Sequence, residues 1–438
     1  MNERSMSRRV FLGATALTAG AVLGALDVGP VLAAPTPRLR MGDSPNASPD
    51  GTTIPSATSI TDNGGDVWTV SGGVIYRNGS TVGVTYDVAL LLWYGGVIYC
   101  VNTSGQWYAG WNDAWLHCTD PRIPLSVPAG MLYGMNGHHD TPQSPALIAS
   151  LMTDLGCTVY RVNCTDDPAS LGPVTTLAQS LGASGITVLP VIDSGLEDSS
   201  GAMYASEDAA YDSGHSIGEA VANALTPHGV TLFECGNELT RNSAIILPEH
   251  EADAGTKLID FDNDNWPLMR GLMRGLIDGV KSVQPGAQCG INFCKSDVAA
   301  ADGLWEGWQP DGSIGHPPVR WDLTTWHNYE GDGDIFRIGT DGAGPSFDLP
   351  IYCKARYGVP FLLTEWNSDP NQSQSHRASY ISAQLAEFGP RRNTEGFLSS
   401  MFYELDGGTQ WGLVDDAGTH MDPPYSAYRS FVAAHPDV

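Results

Sequence analysis

The chain has 438 residues, 42% of them hydrophobic and 12 of them tryptophan, so it can bury a large core and is not a globally disordered protein. Its formal net charge is −27, which argues against nucleic acid and anionic membrane partners because like charges repel. A neutral substrate is the most compatible with this negative net charge.

The first 34 residues are typical of an export signal. Ser7-Arg8-Arg9-Val10-Phe11-Leu12-Gly13 has the paired arginines of a twin-arginine signal, and a run of small apolar residues follows over 14–32. The alternative is a membrane anchor, which the glycines, proline and aspartate in this run disfavour. We therefore expect a twin-arginine signal peptide over 1–34, no stable membrane association after its cleavage, and a periplasmic or extracellular protein.

Residues 35–60 are rich in Pro, Ser, Thr, Gly and Asn and predict a linker. The next segment, 61–120, predicts a small β-rich accessory domain, because short runs of strand-forming residues alternate with Asn-Gly and Gly-Gly turns. Gly-Gly-Val-Ile-Tyr occurs at both 72–76 and 95–99, which indicates repeated hairpins.

Three tryptophans, Trp107, Trp111 and Trp115, recur every four residues near the end of this domain. Their rings either stack on sugar rings or form the core of a domain that has few other large side chains. The sequence leaves both interpretations open.

Eight cysteines raise the question of disulfide bonds in an exported protein. The pairs nearest in sequence are Cys100/Cys118, Cys157/Cys164 and Cys289/Cys294. Twin-arginine substrates fold in a reducing cytoplasm, so free buried thiols are an equal alternative. No Cys/His spacing typical of zinc occurs, and we expect no structural metal.

From 129 to 438 the pattern alternates between strands and helices, which predicts a (β/α)₈ TIM barrel and an α/β fold. Eight extended apolar segments are separated by stretches with apolar residues three and four apart. The predicted strands are 131–137, 159–163, 187–193, 231–238, 288–293, 321–329, 360–367 and 397–405, and the predicted helices are 145–155, 170–181, 217–225, 266–283, 349–357, 376–388 and 425–434, with a short one over 299–308.

Two predicted strands end in glutamate: the fourth at Glu238, after Phe233-Glu234-Cys235-Gly236-Asn237, and the seventh at Glu365. Chemistry in such barrels lies at the carboxyl ends of the strands, and a buried strand ends in a carboxylate only where that group faces a polar cleft. Retaining glycosidases use two carboxyl groups about 5–5.5 Å apart, one as acid/base and one as nucleophile. We predict Glu238 as the acid/base, with a raised pKa, and Glu365 as the nucleophile. The alternatives are a surface carboxylate at a helix N-terminus for Glu238 and a rim salt bridge for Glu365.

Asn-Glu at the end of strand four, with Glu at the end of strand seven, resembles the four/seven superfamily of glycoside hydrolases (clan A), over about residues 129–438. Family 39 (β-xylosidases and exopolysaccharide endoglycosidases) and family 5 are the most similar members. The strand-eight Trp of the superfamily is absent, since the chain reads Met401-Phe402-Tyr403-Glu404-Leu405. The resemblance implies a substrate-binding set: Asn237 at the sugar 2-hydroxyl, Arg161 near the nucleophile, His327 and Tyr329 on strand six, Asn136 and His138 on strand one, and Trp411 as an aromatic platform.

We therefore expect a retaining glycoside hydrolase acting on β-linked, largely neutral carbohydrate of plant cell walls or bacterial exopolysaccharides, with no cofactor and no metal. A non-catalytic polysaccharide-binding protein on a degenerate barrel is the alternative from another class, and such a protein has no reason to keep both acids. Metal binding by His138-His139-Asp140 is disfavoured, because adjacent residues of a strand point to opposite faces. Gly214-His215-Ser216-Ile217-Gly218 matches a serine-hydrolase elbow, but no apolar strand precedes it, so we predict Ser216 to be a helix N-cap.

Overall fold

The computed structural model describes residues 44–111, 114–248, 255–338 and 346–437. The predicted signal peptide over 1–34 and the first part of the predicted linker lie outside the described residues. Within the described ranges, no helix has both the length and the apolar character needed to cross a membrane.

Two small antiparallel sheets precede the barrel. One has the strand order β1-β6-β7-β8-β9 and the other β2-β3-β4-β5. The strands are β1 (Thr53–Ile54), β2 (Ile60–Thr61), β3 (Val67–Ser71), β4 (Val74–Arg77), β5 (Ser80–Thr81), β6 (Val88–Tyr94), β7 (Val97–Asn102), β8 (Trp107–Trp111) and β9 (Ala114–Cys118). The two Gly-Gly pairs, at 72–73 and 95–96, join β3 to β4 and β6 to β7 with positive φ at both glycines, as tight hairpin turns require.

The β-rich segment begins earlier than the sequence predicts. Strand β1 falls inside the predicted linker over 35–60 and pairs with β6, and β2 begins at the last residue of that linker. Ile54 and Ile60 are buried in one core with Trp68 and Ile75. A two-residue strand shows no periodicity, so these isoleucines gave no signal in a polar stretch.

Eight parallel strands form a closed barrel, which confirms the predicted (β/α)₈ fold. They are β10 (Tyr133–Gly137), β11 (Val159–Cys164), β12 (Thr187–Ile192), β13 (Leu232–Cys235), β14 (Gln288–Cys294), β15 (Leu323–His327), β16 (Phe361–Trp366) and β17 (Phe397–Phe402). Pairing of β10 with β17 closes the ring. The sequence predicts β13 three residues too long at its carboxyl end, because Gly236 leaves the strand conformation with φ of 99°.

Nine helices lie in the described part of the chain: α1 (Pro145–Leu155), α2 (Pro168–Ala183), α3 (Glu207–Leu225), α4 (Trp266–Val283), α5 (Val298–Glu306), α6 (Leu349–Tyr357), α7 (Gln374–Glu395), α8 (Gly408–Trp411) and α9 (Pro424–Ala434). Side chains cap several N-termini by accepting a backbone N–H of the first turn: Ser144, Asp167, Ser206, Asp348 and Ser373. Every predicted helix has a counterpart among them.

The β-rich segment packs on the barrel at α6. Trp111 lies edge-on to Phe347 with ring centroids 4.9 Å apart, and 5.3 Å from Tyr352. Trp115 donates its ring N–H to the Val82 carbonyl over 3.1 Å, and Trp107 lies under the Arg122 guanidinium. All three tryptophans are half-buried in these contacts, which favours the core interpretation.

The serine-hydrolase elbow is not present. Ser216 lies in the middle of α3 and donates to the Asp212 carbonyl, so the prediction of an N-cap there is wrong; the cap is Ser206. Gly214 and Gly218 serve close packing instead. A Cβ on either would come within 2.6 Å of a carbonyl oxygen of α4.

All eight cysteines are free and buried. Cys289 and Cys294 lie at the two ends of β14, about 17 Å of strand apart, too far for a bond. Cys157 lies two residues before β11 and Cys164 is its last residue, so the length of this strand separates them. Cys100 and Cys118 belong to different core clusters.

Candidate active site

The structure brings the predicted site residues together at the carboxyl end of the barrel. Glu365 lies within β16, and its side chain is 11% exposed. One carboxylate oxygen accepts from Arg161 Nη1 over 2.6 Å, and the other from the Tyr329 hydroxyl over 2.5 Å. These two donors fix the carboxylate plane and leave Glu365 facing the barrel mouth.

Arg161, on β11, connects four groups of the site. Besides Glu365, it donates to Glu234 over 2.5 Å, to the Asn136 side-chain oxygen over 2.9 Å and to the Asn237 side-chain oxygen over 2.8 Å. Burial lowers the pKa of Arg161, but the charges of Glu234 and Glu365 outweigh burial and raise it. The guanidinium therefore stays charged.

Glu234 is the fully buried carboxylate of this group. Burial raises its pKa, whereas the charges of Arg161 and His327 lower it and prevail. Thr364 also donates to it over 2.8 Å. Glu234 is thus an ionised partner of Arg161 and lies out of reach of a ligand in the cleft.

Two predicted substrate contacts need correction. Asn136 and Arg161 are 2% and 4% exposed, and their polar atoms are bonded within the protein. Asn136 donates to the Thr364 carbonyl over 2.8 Å, which ties β10 to β16. Arg161 holds Glu365 and is itself held by Asn136, and both residues are buried behind the cleft surface.

Glu238 lies in a left-handed backbone conformation, φ 45° and ψ 36°, three residues after β13. Its backbone N–H donates to the Asn292 side-chain oxygen over 2.8 Å, which fixes this bend. Glu238 does precede a short 3₁₀ turn, but its side chain makes no cap there. Its carboxylate contacts His327 Nδ1 over 2.9 Å instead, and is 39% exposed.

His327 lies between the two glutamates. Its Nδ1 is 2.9 Å from Glu238 and its Nε2 is 3.4 Å from Glu365, and the side chain is 1% exposed. One oxygen of each carboxylate and a ring nitrogen lie within 4.8 Å of one another. The prediction that His327 contacts substrate is therefore corrected, because its buried ring contacts Glu238 through one nitrogen and Glu365 through the other.

The prediction of a raised pKa for Glu238 is wrong in this geometry. Burial raises the pKa, but the hydrogen bond and charge of His327, with the charges of Arg161 and Arg241, lower it below its usual value. The His327 contact therefore favours the ionised form of Glu238 in this structure.

The Glu238, His327 and Glu365 ligand atoms are close enough to hold a metal ion. Arg161 Nη1 lies 2.6 Å from a Glu365 oxygen and brings a fixed positive charge to this carboxylate. This charge disfavours a cation there and leaves the glutamates for acid–base and nucleophilic chemistry.

Aromatic rings form one wall of the cleft. Trp411 lies 5.6 Å from the Tyr329 ring and 5.9 Å from the Tyr403 ring, both edge-on. Asn237 has its oxygen on Arg161, and its amide nitrogen has no protein partner among the described residues, so it is free to donate into the cleft.

Sequence reasoning missed Tyr403 and left Glu404 open, either as a residue that lines a substrate subsite or as a solvated loop carboxylate. Tyr403 lies edge-on to the Tyr329 ring with the ring centroids 6.1 Å apart, and Glu404, which follows it, lies 2.7 Å from His138. The signal was present: Tyr403-Glu404 follows a strand end, as Glu238 does.

No protein-family model and no curated protein sequence matches the chain. Among solved structures, the chain is similar to the Ignisphaera aggregans GH53 catalytic domain, at 14% identity and TM-score 0.49, over 70% of this chain and 99% of that one. It is similar to the exo-β-1,4-mannosidase Op5Man5 from Opitutaceae bacterium strain TAV5, at 17% identity and TM-score 0.47, over 72% of this chain and 62% of that one. It is also similar to PbGH5A, a family 5 glycoside hydrolase from Prevotella bryantii B14, at 12% identity and TM-score 0.46, over 68% and 95% of the two chains. Similarity of this degree does not establish a function, so function rests on the geometry of the site.

Proposed function

We propose that the protein is a retaining glycoside hydrolase that cleaves β-glycosidic bonds in a largely neutral oligo- or polysaccharide. The observation that carries this proposal is the distance between the acids. An oxygen of Glu238 and an oxygen of Glu365 lie within 4.8 Å, close to the spacing of retaining pairs and well below the roughly 6.5–9.5 Å of inverting pairs.

In the first step, a Glu365 oxygen attacks the anomeric carbon while the bond to the leaving oxygen breaks. Glu238 gives its proton to that oxygen, and a covalent glycosyl ester on Glu365 results. In the second step, Glu238 takes a proton from water, the water oxygen attacks the anomeric carbon, and Glu365 leaves. Two inversions at the same carbon give net retention.

The surroundings suit these roles. Arg161 and Tyr329 hold Glu365 in a fixed orientation, which lowers the cost of reaching attack geometry. Glu238 is the more exposed acid, so a leaving group and a water molecule can reach it. The amide of Asn237 is placed to donate to a sugar 2-hydroxyl, and Trp411 to stack against a ring.

The test uses Glu365→Ala and Glu238→Gln with 4-nitrophenyl β-glycosides. We expect Glu365→Ala to lose roughly 10⁴- to 10⁶-fold in kcat and to regain turnover with azide, giving a glycosyl azide of inverted configuration. Glu238→Gln should lose activity mainly on substrates with poor leaving groups. Proton NMR of the first product anomer from the wild type should show the β configuration.

Wild-type turnover by Glu365→Ala, or an α first product, would refute the proposal. Asp140→Asn, a substitution of an exposed acid after β10, is the matched control and should keep wild-type kcat. Membership of family 39 or 5, export by the signal over 1–34 and carbohydrate binding by the β-rich segment stay predictions.

A further inference from the structure

A second histidine–glutamate pair lies beside the nucleophile, where strands one and eight of the barrel meet. His138 follows β10 and Glu404 follows β17, and His138 Nε2 is 2.7 Å from a Glu404 oxygen. The His138 side chain is 32% exposed, whereas that of Glu404 is 9% exposed. The histidine therefore faces the cleft, and the glutamate lies behind it.

The loop after β17 holds Glu404 in place. The Glu404 N–H donates to the Trp411 carbonyl over 3.2 Å, and Leu413 donates to the Glu404 carbonyl over 3.2 Å. Gly407 lies so close that a Cβ there would come within 2.2 Å of the other Glu404 oxygen. Thr141 donates to Asp406 and ties the loop after β10 to the loop after β17.

The protonation state of the His138 ring decides whether its Nδ1 donates or accepts hydrogen bonds in the cleft. A neutral imidazole has one N–H. A carboxylate beside Nε2 would keep that hydrogen on Nε2, so Nδ1 could only accept hydrogen bonds. An imidazolium donates from both nitrogens. Among the described residues, His138 Nδ1 has no protein partner, and it is the nitrogen left for a ligand.

We propose that Glu404 is a positioning residue that keeps His138 an imidazolium, and that His138 Nδ1 donates to a hydroxyl of the sugar bound against Glu365. This inference rests on the proposed function. The group recognised is a neutral hydroxyl, because the carboxylates around His138 would repel an anionic sugar.

Every element packed against His138 brings charged or titratable groups. Glu404, Asp406 and Tyr403 come from the segment after β17, Glu365 from β16, Asp193 from the end of β12, and His139 is its neighbour in sequence. Burial lowers the pKa of His138, but the hydrogen bond and charge of Glu404, with the charges of Asp406 and Glu365, raise it to about 9. The ring is therefore charged at neutral pH.

The first test does not depend on activity. Histidine-labelled protein is titrated by NMR, and His138→Gln identifies the His138 signal. We expect His138 to titrate near pH 9 in the wild type and near the ordinary value of about 6.5 in Glu404→Gln. An ordinary pKa in the wild type, or no change in Glu404→Gln, would overturn the proposal.

The second test separates positioning from folding by measuring KM and kcat with 4-nitrophenyl β-glycosides at pH 5.5 and pH 8. In Glu404→Gln, His138 stays charged at pH 5.5 and becomes neutral at pH 8. We therefore expect KM near the wild-type value at pH 5.5 and about tenfold higher at pH 8, the size of one hydrogen bond to a charged group. His138→Gln should raise KM at both pH values with a smaller change in kcat.

His376→Gln is the matched control, since His376 and Glu330 form another pair 2.7 Å apart. It should leave KM unchanged at both pH values. An equal rise in KM for Glu404→Gln at both pH values would mean a purely structural role and would refute the proposal, as would a preference for β-glucuronides over β-glucosides. If the wild type cleaves no glycoside, the proposed function fails, and the NMR titration still decides the state of His138.

Discussion

The two glutamates of the proposed catalytic pair occupy contrasting sides of one cleft. Glu365 is 11% exposed and has a hydrogen-bond donor on each oxygen, whereas Glu238 is 39% exposed and has His327 as its side-chain partner. The difference follows from position along the strands. Glu365 lies within a paired strand, and Glu238 lies beyond the end of its strand on a left-handed bend. In the proposed mechanism, the nucleophile Glu365 is thus preorganised, and the acid Glu238 is accessible to the leaving group and to water.

This contrast predicts that removing a partner of Glu365 has a larger effect than removing the partner of Glu238. Arg161→Met keeps the approximate volume and removes the charge that compensates Glu234 and Glu365. We expect the free energy of unfolding to fall by roughly 3–5 kcal/mol at neutral pH, the cost of leaving a buried carboxylate unpaired. Urea unfolding followed by tryptophan fluorescence measures this change.

The pH dependence of this loss of stability tests whether the unpaired carboxylate of Glu234 causes it. In the wild type the pKa of Glu234 is lowered, so its contribution to stability is present above the unfolded pKa of about 4.3 and is lost as pH falls below it. In Arg161→Met the largest influence that lowers this pKa is lost, and only the charge of His327 and the remaining hydrogen bonds oppose burial. The pKa of Glu234 should therefore rise, and the deficit should shrink as pH falls and Glu234 takes up a proton. Glu234→Gln/Arg161→Met should be less destabilised than Arg161→Met, and an equal or larger deficit would contradict the explanation.

Strand ends explain how much of this site could be predicted. Glu238 and Glu365 each follow an apolar run, so the positions of both are visible in a local pattern. The eight strands were found for the same reason. The closed barrel then brings the carboxyl ends of all its strands to one face, independently of the length and conformation of the loops.

The rest of the site depends on pairing between distant strands. Glu234 binds Arg161 from 73 residues away, and His138 binds Glu404 across the closure of the barrel. No periodicity relates such positions. The low pKa of Glu238 was missed for the same reason, since it comes from the buried His327 on another strand.

A second way to test the contrast is Tyr329→Phe, which removes the donor to one Glu365 oxygen and keeps the ring beside Trp411. We expect kcat to fall about 10²-fold, the usual effect of losing one preorganised donor, with a small change in KM. Tyr352→Phe is the matched control, because Tyr352 also donates to a buried carboxylate, Asp302, over 2.5 Å. It should lower stability and leave kcat unchanged; similar losses of kcat in both variants would indicate a general effect on folding.

The smallest effect is expected on the acid side, from His327→Gln. Burial raises the pKa of Glu238, and the hydrogen bond and charge of His327 are the main influences that lower it. Loss of the charge should therefore raise this pKa. Because Glu238 must be protonated to release the leaving group, the alkaline limb of kcat/KM should move to higher pH, with less than about a tenfold change at the optimum. His376→Gln should leave the limb in place. An unchanged limb, or one at lower pH, would mean that His327 does not set the protonation of Glu238 and that the accessible acid is controlled by solvent exposure alone.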